Sequence, residues 1–152
     1  MNYYSEIKDK LLNNEVRKKI ENYSKNLRDL QTYFDVGKLI IEAQGGEGRA
    51  KYGDELIKEY SKKLSKDLGR GYSPMNLKYM RKFYLQIQER QTLSVQLTWS
   101  HYVELLKFND INKINYYVDI SIKQNLSVRE LRSKIKNNEY EKTLDETMYK
   151  LM

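Results

Sequence analysis

The chain has 152 residues, of which 39% are hydrophobic and 32% charged, with a formal net charge of +7 and a pI near 9.3. A chain of this length forms one domain around one core, and the complete lack of cysteine excludes disulfide frameworks, Cys-ligated zinc and thiol catalysis. The mean hydropathy of −0.84 and the lack of a long apolar run exclude a transmembrane helix, and no signal peptide is recognisable, so we expect a cytoplasmic protein without a membrane partner.

The first predicted element is a long amphipathic helix over about residues 14–43. Its apolar positions are spaced alternately four and three residues apart, a heptad pattern that we call the seam: Val16, Ile20, Tyr23, Leu27, Leu30, Phe34, Gly37 and Ile41. Two interpretations are open. Either the helix lies across its own domain, or part of the seam packs against a second copy of the chain. The homodimer interface would then comprise Val16, Ile20, Tyr23, Leu27, Leu30 and Phe34.

A helix-turn-helix arrangement is predicted over about residues 54–88. The glycine-rich segment at residues 45–48 interrupts the long helix, and a second helix is expected over about residues 54–68. The sequence Gly69-Arg70-Gly71-Tyr72 predicts a tight turn. A third helix begins at Ser73-Pro74, because serine is a favoured N-cap and proline suits the first helical position. Two helices joined by so short a turn have helix-turn-helix proportions.

The positive charge of the chain is concentrated in this same region. Residues 49–90 contain eleven Lys and Arg residues against five Asp and Glu residues, a net charge of +6. The rest of the chain contains seventeen against sixteen, a net charge of +1. A concentrated basic stretch is drawn to polyanions, so the distribution indicates nucleic acid as a partner. The alternative is that the lysines only form a solvated helix surface.

The third helix is the predicted recognition helix. In helix-turn-helix proteins this helix lies in the major groove of duplex DNA, where asparagine pairs with adenine and arginine with guanine. Lysines and hydroxyl groups bind the phosphates. The predicted DNA-contacting residues are Arg70, Ser73, Asn76, Lys78, Tyr79, Arg81 and Lys82. An alternative is open for Arg81, whose guanidinium could turn inward to Glu59 or Asp54 and stabilise the fold.

The remaining segment is predicted to be helical apart from one extended stretch. Residues 92–99 alternate polar and apolar side chains, which indicates a short strand or an extended connector. Further helices are expected over about residues 100–138, one capped by Asp110 and one begun by a capping box at Ser127. Residues 139–152 are polar and are expected to form a tail, frayed helix or linker. The predicted fold class is therefore an all-α domain over residues 1–138.

Catalysis has little support in the sequence. The chain has a single histidine, His101, so no site that needs two imidazoles can form. A serine and a histidine adjacent in sequence, as in Ser100-His101, do not form a catalytic triad, whose members come from separate segments. We expect Trp99 to fill the core and His101 to make hydrogen bonds at a helix start. No metal, cofactor or catalytic residue is predicted.

Several blocks of the chain resemble the N-terminal domain of YhcG-type proteins. The two most specific blocks are Asn76-Leu77-Lys78-Tyr79-Met80-Arg81-Lys82-Phe83-Tyr84 and Leu97-Thr98-Trp99-Ser100-His101. Further matching blocks are Lys51-Tyr52-Gly53, Gly69-Arg70-Gly71-Tyr72-Ser73 and Asn125-Leu126-Ser127-Val128-Arg129-Glu130-Leu131-Arg132. The resemblance covers most of the chain, from about residue 20 to residue 142.

The resemblance implies a bacterial helical domain with a helix-turn-helix role in DNA binding. In this family the domain normally precedes a PDDEXK-type nuclease, in proteins that resemble parts of restriction-like or mobile-element systems. The chain ends about eleven residues after Glu141, where the nuclease would begin. We therefore expect either a fragment cut at the domain boundary or a protein that lost its nuclease, and no catalytic residue can be carried over.

Two functions follow as hypotheses. The first is a non-enzymatic DNA-binding module that targets a nuclease domain or restriction-system partner. The second is an oligomerisation and protein-docking module that makes no direct contact with DNA. In the second case the seam pairs subunits, and the basic stretch is only a solvated surface.

Overall fold

The computed structural model describes residues 2–45, 50–87 and 96–152, and this part of the chain forms seven helices and no strand. The helices are α1 (Tyr3–Ala43), α2 (Ala50–Leu68), α3 (Pro74–Ile87), α4 (Trp99–Leu105), α5 (Ile111–Lys123), α6 (Val128–Lys136) and α7 (Glu139–Leu151). The all-α prediction is confirmed. Among the described residues, none of the helices is long and apolar enough to cross a membrane.

The first helix begins at Tyr3, eleven residues earlier than the seam predicted. Asn2 caps it, since its side-chain oxygen accepts a hydrogen bond from the Ser5 N–H at 3.2 Å. The early start was missed because the apolar residues before position 12 do not continue the seam. With 41 residues, α1 is about 60 Å long at 1.5 Å per residue. Every residue from 2 to 25 is exposed, and we call residues 3–25 of α1 the arm.

The C-terminal part of α1 packs against α3, and the two backbones come very close at Gly37. A Cβ atom at Gly37 would lie 2.1 Å from the carbonyl oxygen of Met80, so only glycine permits this approach. Leu30 and Ile41 lie on the same covered side of α1 and are buried. The contact between α1 and α3 therefore fixes the position of the predicted recognition helix.

Two groups of buried side chains form the core. The larger group joins α1 and α3 to the helices from α4 to α7, around the fully buried side chains of Phe83 and Tyr117. The smaller group comprises Ile40, Ile57, Leu77 and Met80 and holds α2 against α1 and α3. The helical pattern predicts Leu77, Met80, Tyr84 and Ile87 as the inward residues of α3; Leu77, Met80 and Ile87 are buried, and Tyr84 is half-buried. Phe83 is also fully buried, although the pattern did not single it out.

The predicted helix starts in the second half of the chain are confirmed. Asp110 caps α5 by accepting a hydrogen bond from the Asn112 N–H at 2.9 Å, and Ser127 begins α6 with a capping box. His101 accepts a hydrogen bond from the Thr98 N–H through Nδ1 at 3.1 Å, and its Nε2 donates to the Leu126 carbonyl at 2.8 Å. The buried imidazole thus begins α4 and ties it to the segment before α6, as expected for a structural histidine.

Two predicted segments can be compared with the structure only in part or contain more structure than expected. Half of the predicted extended stretch at 92–99, residues 92–95, lies outside the described residues; residues 96–98 form no strand, and α4 starts at Trp99. The predicted tail contains a helix, α7. Tyr140 is buried in the first turn of α7, and its N–H donates to the Tyr117 hydroxyl at 3.2 Å. The first turn of α7 is therefore packed onto α5, which the polar composition did not predict.

Candidate nucleic-acid interface

The turn between α2 and α3 is built by glycine conformation and side-chain hydrogen bonds. Gly69 and Gly71 have φ angles of +94° and +108°, which L side chains rarely adopt, while the space around both is open. The Ser61 hydroxyl donates to the Tyr72 carbonyl at 2.6 Å, which ties the turn to α2. Ser73 caps α3, since its hydroxyl oxygen accepts from the Asn76 N–H at 3.1 Å. These contacts hold α2 and α3 in one unit.

A basic cleft of about 390 Å³ lies between α3, α2, the end of α1 and the segment that joins α4 to α5, and we call it the α3 cleft. It contains three of the predicted DNA-contacting residues, Lys78, Arg81 and Lys82, and one carboxylate, that of Asp54. Its described lining residues are Gln44, Asp54, Ile57, Lys78, Arg81, Lys82, Leu85, Gln86 and Asn109. Among these described residues three cations face one anion, which makes the cleft a favourable place for a negatively charged ligand.

Three different elements hold the cations of the cleft. Lys78 Nζ lies 3.5 Å from an Asp54 carboxylate oxygen on α2. Arg81 Nε donates to the side-chain oxygen of Gln44, at the end of α1, at 2.7 Å. Lys82 Nζ donates to the side-chain oxygen of Asn109, between α4 and α5, at 2.9 Å.

The nature of these partners affects the charge of the cleft. Gln44 and Asn109 are neutral amides, so their hydrogen bonds orient a cation without cancelling its charge. Only Lys78 has a carboxylate partner among these three bonds. Burial lowers the pKa of Lys82 from its ordinary value, because desolvation disfavours the charged ammonium group. An anion bound beside Lys82 would restore favourable electrostatics at that position.

Asn76 is engaged within the chain. Its side-chain N–H donates to the carbonyl of Gly71 in the turn, and its side-chain oxygen accepts from Trp99 Nε1 at 3.2 Å. The Trp99 ring in turn packs against the rings of Tyr33 and Phe83, with centroids 4.8 Å and 5.2 Å away. This geometry favours an architectural role for Asn76, between the turn and the core, over the predicted contact with adenine.

The other predicted contact residues do not share the α3 cleft. Ser73, Asn76 and Tyr79 line a second cleft of about 370 Å³, together with Met75 and Val103. Arg70 is exposed in the turn. The structure thus divides the predicted set between two clefts and the turn, and three of its four cationic members, Lys78, Arg81 and Lys82, line the α3 cleft.

Sequence reasoning missed Gln44 and Asn109. Their partners on α3 lie 37 and 27 residues away, so no helical period connects them. The alternative left open for Arg81 is an inward contact with Glu59 or Asp54. Among the described contacts Asp54 pairs with Lys78, Glu59 pairs with Lys63 and Arg81 Nε donates to Gln44, while Asp54 lines the α3 cleft together with Arg81. The only local signal for these partners is the position of Gln44, a polar residue directly before the glycine-rich segment at residues 45–48.

The predicted dimer seam is also divided. Val16, Ile20 and Tyr23 are 57%, 59% and 41% exposed and lie on the arm. Leu27 is half-buried. Leu30 is fully buried in the chain's own core, and Phe34 packs against Tyr84 with ring centroids 4.9 Å apart. Leu30 therefore contributes to the fold of one chain and is not exposed to a second copy, whereas Phe34 is half-buried and keeps part of its surface exposed.

An acidic side chain outside the cleft serves the fold. Glu104 on α4 accepts hydrogen bonds from Arg132 at 2.8 Å and Lys107 at 3.2 Å. Burial acts to raise the pKa of Glu104, but these two hydrogen bonds and charges lower it overall. In the part of the chain that the structure describes, no group of three metal-ligating side chains is arranged to hold an ion.

Comparison with known proteins gives the family. The family described as the DUF1016 N-terminal domain matches residues 6–142. A protein of Escherichia coli (strain K12) named "Putative nuclease YhcG" is 35% identical over 146 residues, a match that covers 74% of this chain and 39% of that protein. The chain thus spans about two fifths of the length of this relative, and no solved structure matches it significantly. The chain belongs to the DUF1016 N-terminal domain family.

Proposed function

We propose that this chain is a non-enzymatic DNA-binding module that targets a nuclease, within a restriction-like or mobile-element-linked system. The single observation that supports this proposal most strongly is the α3 cleft, where Lys78, Arg81 and Lys82 are gathered from one helix. The name of the related E. coli protein refers to a nuclease, which supports the targeting role. In this proposal the ligand is the phosphate backbone of duplex DNA.

The arrangement of the cleft suits phosphate better than a scattered basic surface would. Duplex DNA carries a high density of negative charge, and cations that neutralise phosphates release bound counterions. Lys82 and Arg81 are already oriented by Asn109 and Gln44, so binding costs less side-chain entropy than it does for unrestrained lysines. Arg70, exposed in the preceding turn, extends the basic surface beyond the N-terminus of α3.

The phosphate contacts alone would give affinity without sequence preference, because they carry no base information. In this proposal Arg81 contributes, with Lys78 and Lys82, to the phosphate contacts. Asn76 is not assigned to a base, because both polar atoms of its amide already bond within the chain. The proposed module therefore reads few bases and depends mainly on charge.

The experiment that tests the proposal compares two double variants of equal charge. Lys78→Ala with Lys82→Ala removes two cations from the α3 cleft. Lys123→Ala with Lys136→Ala removes two exposed lysines from α5 and α6 and serves as the control. Fluorescence anisotropy on a labelled duplex should show the log–log salt slope falling by about two for the first variant only. If the salt slope fell equally for both variants, the effect would come from net charge alone, and the assignment of the α3 cleft as the DNA-binding site would be overturned.

A second function is supported by a separate observation, the exposed apolar face of the arm. Leu12, Val16, Ile20 and Tyr23 lie on one side of the arm and are 41% to 59% exposed. Spaced four, four and three residues apart, they continue the side of α1 that further along packs onto α3. Helices in proteins are stabilised mainly by packing of their apolar side, so a partner on this side would stabilise the arm. In this alternative the chain is an oligomerisation module, paired through the arm with a second copy.

A further inference from the structure

An apolar groove of about 310 Å³ lies between α1 and α2, on the part of α1 that follows the arm. Val36, Leu39 and Ala43 line the groove from α1, and Tyr60 and Leu64 line it from α2. Every described residue of its lining is aliphatic or aromatic, and Leu39 is 61% exposed. Apolar surface gathered in a concave place marks a contact site, so the groove is suited to receive the apolar side of a helix.

The arm carries an apolar side that is separate from the seam. Tyr4, Ile7 and Leu11 are 72%, 57% and 62% exposed. Their spacing of three and four residues places them on one side of the helix. Because each residue turns the helix by about 100°, this side is opposite to Val16 and Ile20 of the seam. We call Tyr4, Ile7 and Leu11 the tip side of the arm.

The tip side and the groove match in one antiparallel register of two α1 helices. At about 100° per residue, Val36 and Ala43 fall on the same side of α1 as the tip side, so two copies of α1 can face each other along it. In an antiparallel pair the numbers of facing residues have a constant sum. Leu11 facing Val36 of the second copy, and Tyr4 facing Ala43 of the second copy, both give a sum of 47. The apolar residues therefore set the register by themselves.

Two charged residues independently support this register. Lys18 and Asp29 lie on the same side of α1 as the tip side, and their numbers also sum to 47. Lys18 is exposed and Asp29 is half-buried. Within its own chain Lys18 Nζ is 3.8 Å from a carboxylate oxygen of Glu15, a contact between exposed side chains that contributes little to stability. Lys18 can therefore turn toward Asp29 of the second copy, and twofold symmetry forms this pair twice.

We propose that two copies of this chain pair antiparallel along this side of α1, with the tip side of each arm seated in the groove of the other copy. Each groove is then covered by an apolar helix side, and each arm gains the packing that its exposed start lacks. The pairing does not depend on DNA binding. It also differs from the alternative function proposed above, because it leaves Val16 and Ile20 of the seam uncovered.

Disulfide cross-linking tests the register, since the chain has no native cysteine. Leu11→Cys combined with Val36→Cys should give a covalent dimer on a non-reducing gel after mild oxidation. Within one chain these positions are about 37 Å apart along α1, which is too far for a disulfide. Ile20→Cys combined with Val36→Cys is the control with equal thiols, and it should stay uncross-linked. No dimer in the first variant, or equal dimer in both, would overturn the proposal. A dimer formed by Leu11→Cys alone would also overturn it, because it would indicate a different register.

A charge exchange tests the pairing without cross-links. Light scattering at high micromolar concentration should give the wild type twice the 18.3 kDa mass of one chain. Lys18→Glu or Asp29→Lys alone should raise the dissociation constant of the dimer severalfold, and the double variant should restore it. A purely structural role of either residue would not give this recovery, so its absence would overturn the pairing, as would a monomeric wild type.

Substitutions on the two sides of the arm separate this pairing from a pairing through the seam. Ile7→Asp should give a folded monomer with unchanged helical circular dichroism, because Ile7 is 57% exposed in the single chain. Ile20→Asp, on the opposite side, should leave the dimer intact. The reverse result would assign the interface to the seam and overturn the proposal.

Discussion

The two halves of α1 share one helix and one apolar side, yet their surroundings are opposite. In the C-terminal half, Leu30 is fully buried and Ile41 is 7% exposed, because α3 lies against that side. In the arm, Val16 and Ile20 on the same side are 57% and 59% exposed. Apolar periodicity thus identifies which side of a helix is meant to be covered, but it does not identify what covers it. The packed half orders the α3 cleft, and the arm is left available for a partner.

The sharpest test of this difference is a pair of matched truncations. Leu30→Ala should destabilise the chain by about 2–5 kcal/mol, because it leaves a cavity in a fully packed core. Val16→Ala on the arm should change stability by less than about 0.5 kcal/mol, as exposed substitutions usually do. Urea unfolding monitored by circular dichroism at low protein concentration measures both. Comparable losses for the two variants would contradict the distinction between the arm and the packed half.

A smaller effect is expected at Asn76, where the packed region meets the turn. Asn76→Ala removes the acceptor of Trp99 Nε1 and the donor to the Gly71 carbonyl. It should cost about 0.5–1.5 kcal/mol, because two hydrogen bonds are lost, one part-buried and one exposed. Chemical denaturation gives the loss, and anisotropy on duplexes of different sequence gives the DNA preference. Unchanged stability together with a relaxed sequence preference would restore Asn76 as a base-contacting residue.

The smallest effect on stability, but a large effect on assembly, is expected from a charge on the arm. If the seam side of the arm pairs two copies, Ile20→Asp should halve the mass seen by light scattering at high micromolar concentration. The monomer should remain folded, since Ile20 is 59% exposed and belongs to neither group of core side chains in the described part of the chain. Lys18→Asp, on a different side of the same helix, is the control for added negative charge. A wild type that is already monomeric under these conditions would rule out the pairing.

Local features of the sequence predicted more of the fold than of the candidate site. The caps at Asp110 and Ser127 were predictable, because each needs only residues two or three positions apart. The inward-facing residues of α3 were predictable from helical periodicity. The partners of Arg81 and Lys82 were not predictable, because Gln44 and Asn109 approach α3 only after the chain has folded. The role of Asn76 was equally unpredictable from local sequence. Its residue type suits a base contact, but its amide is hydrogen-bonded to Trp99 and to Gly71 in the turn.

The salt dependence of DNA binding by the unmodified chain tests the central claim most directly. The affinity for a short labelled duplex, measured by anisotropy from low to physiological salt, should follow a log–log slope of roughly −4 to −5, as expected when about four to six phosphates are neutralised. The expectation is based on the +6 net charge of residues 49–90 and on the gathering of Lys78, Arg81 and Lys82 in one cleft. Binding that stays constant over this range, or no binding at low salt, would contradict the proposal that the chain is a DNA-binding module.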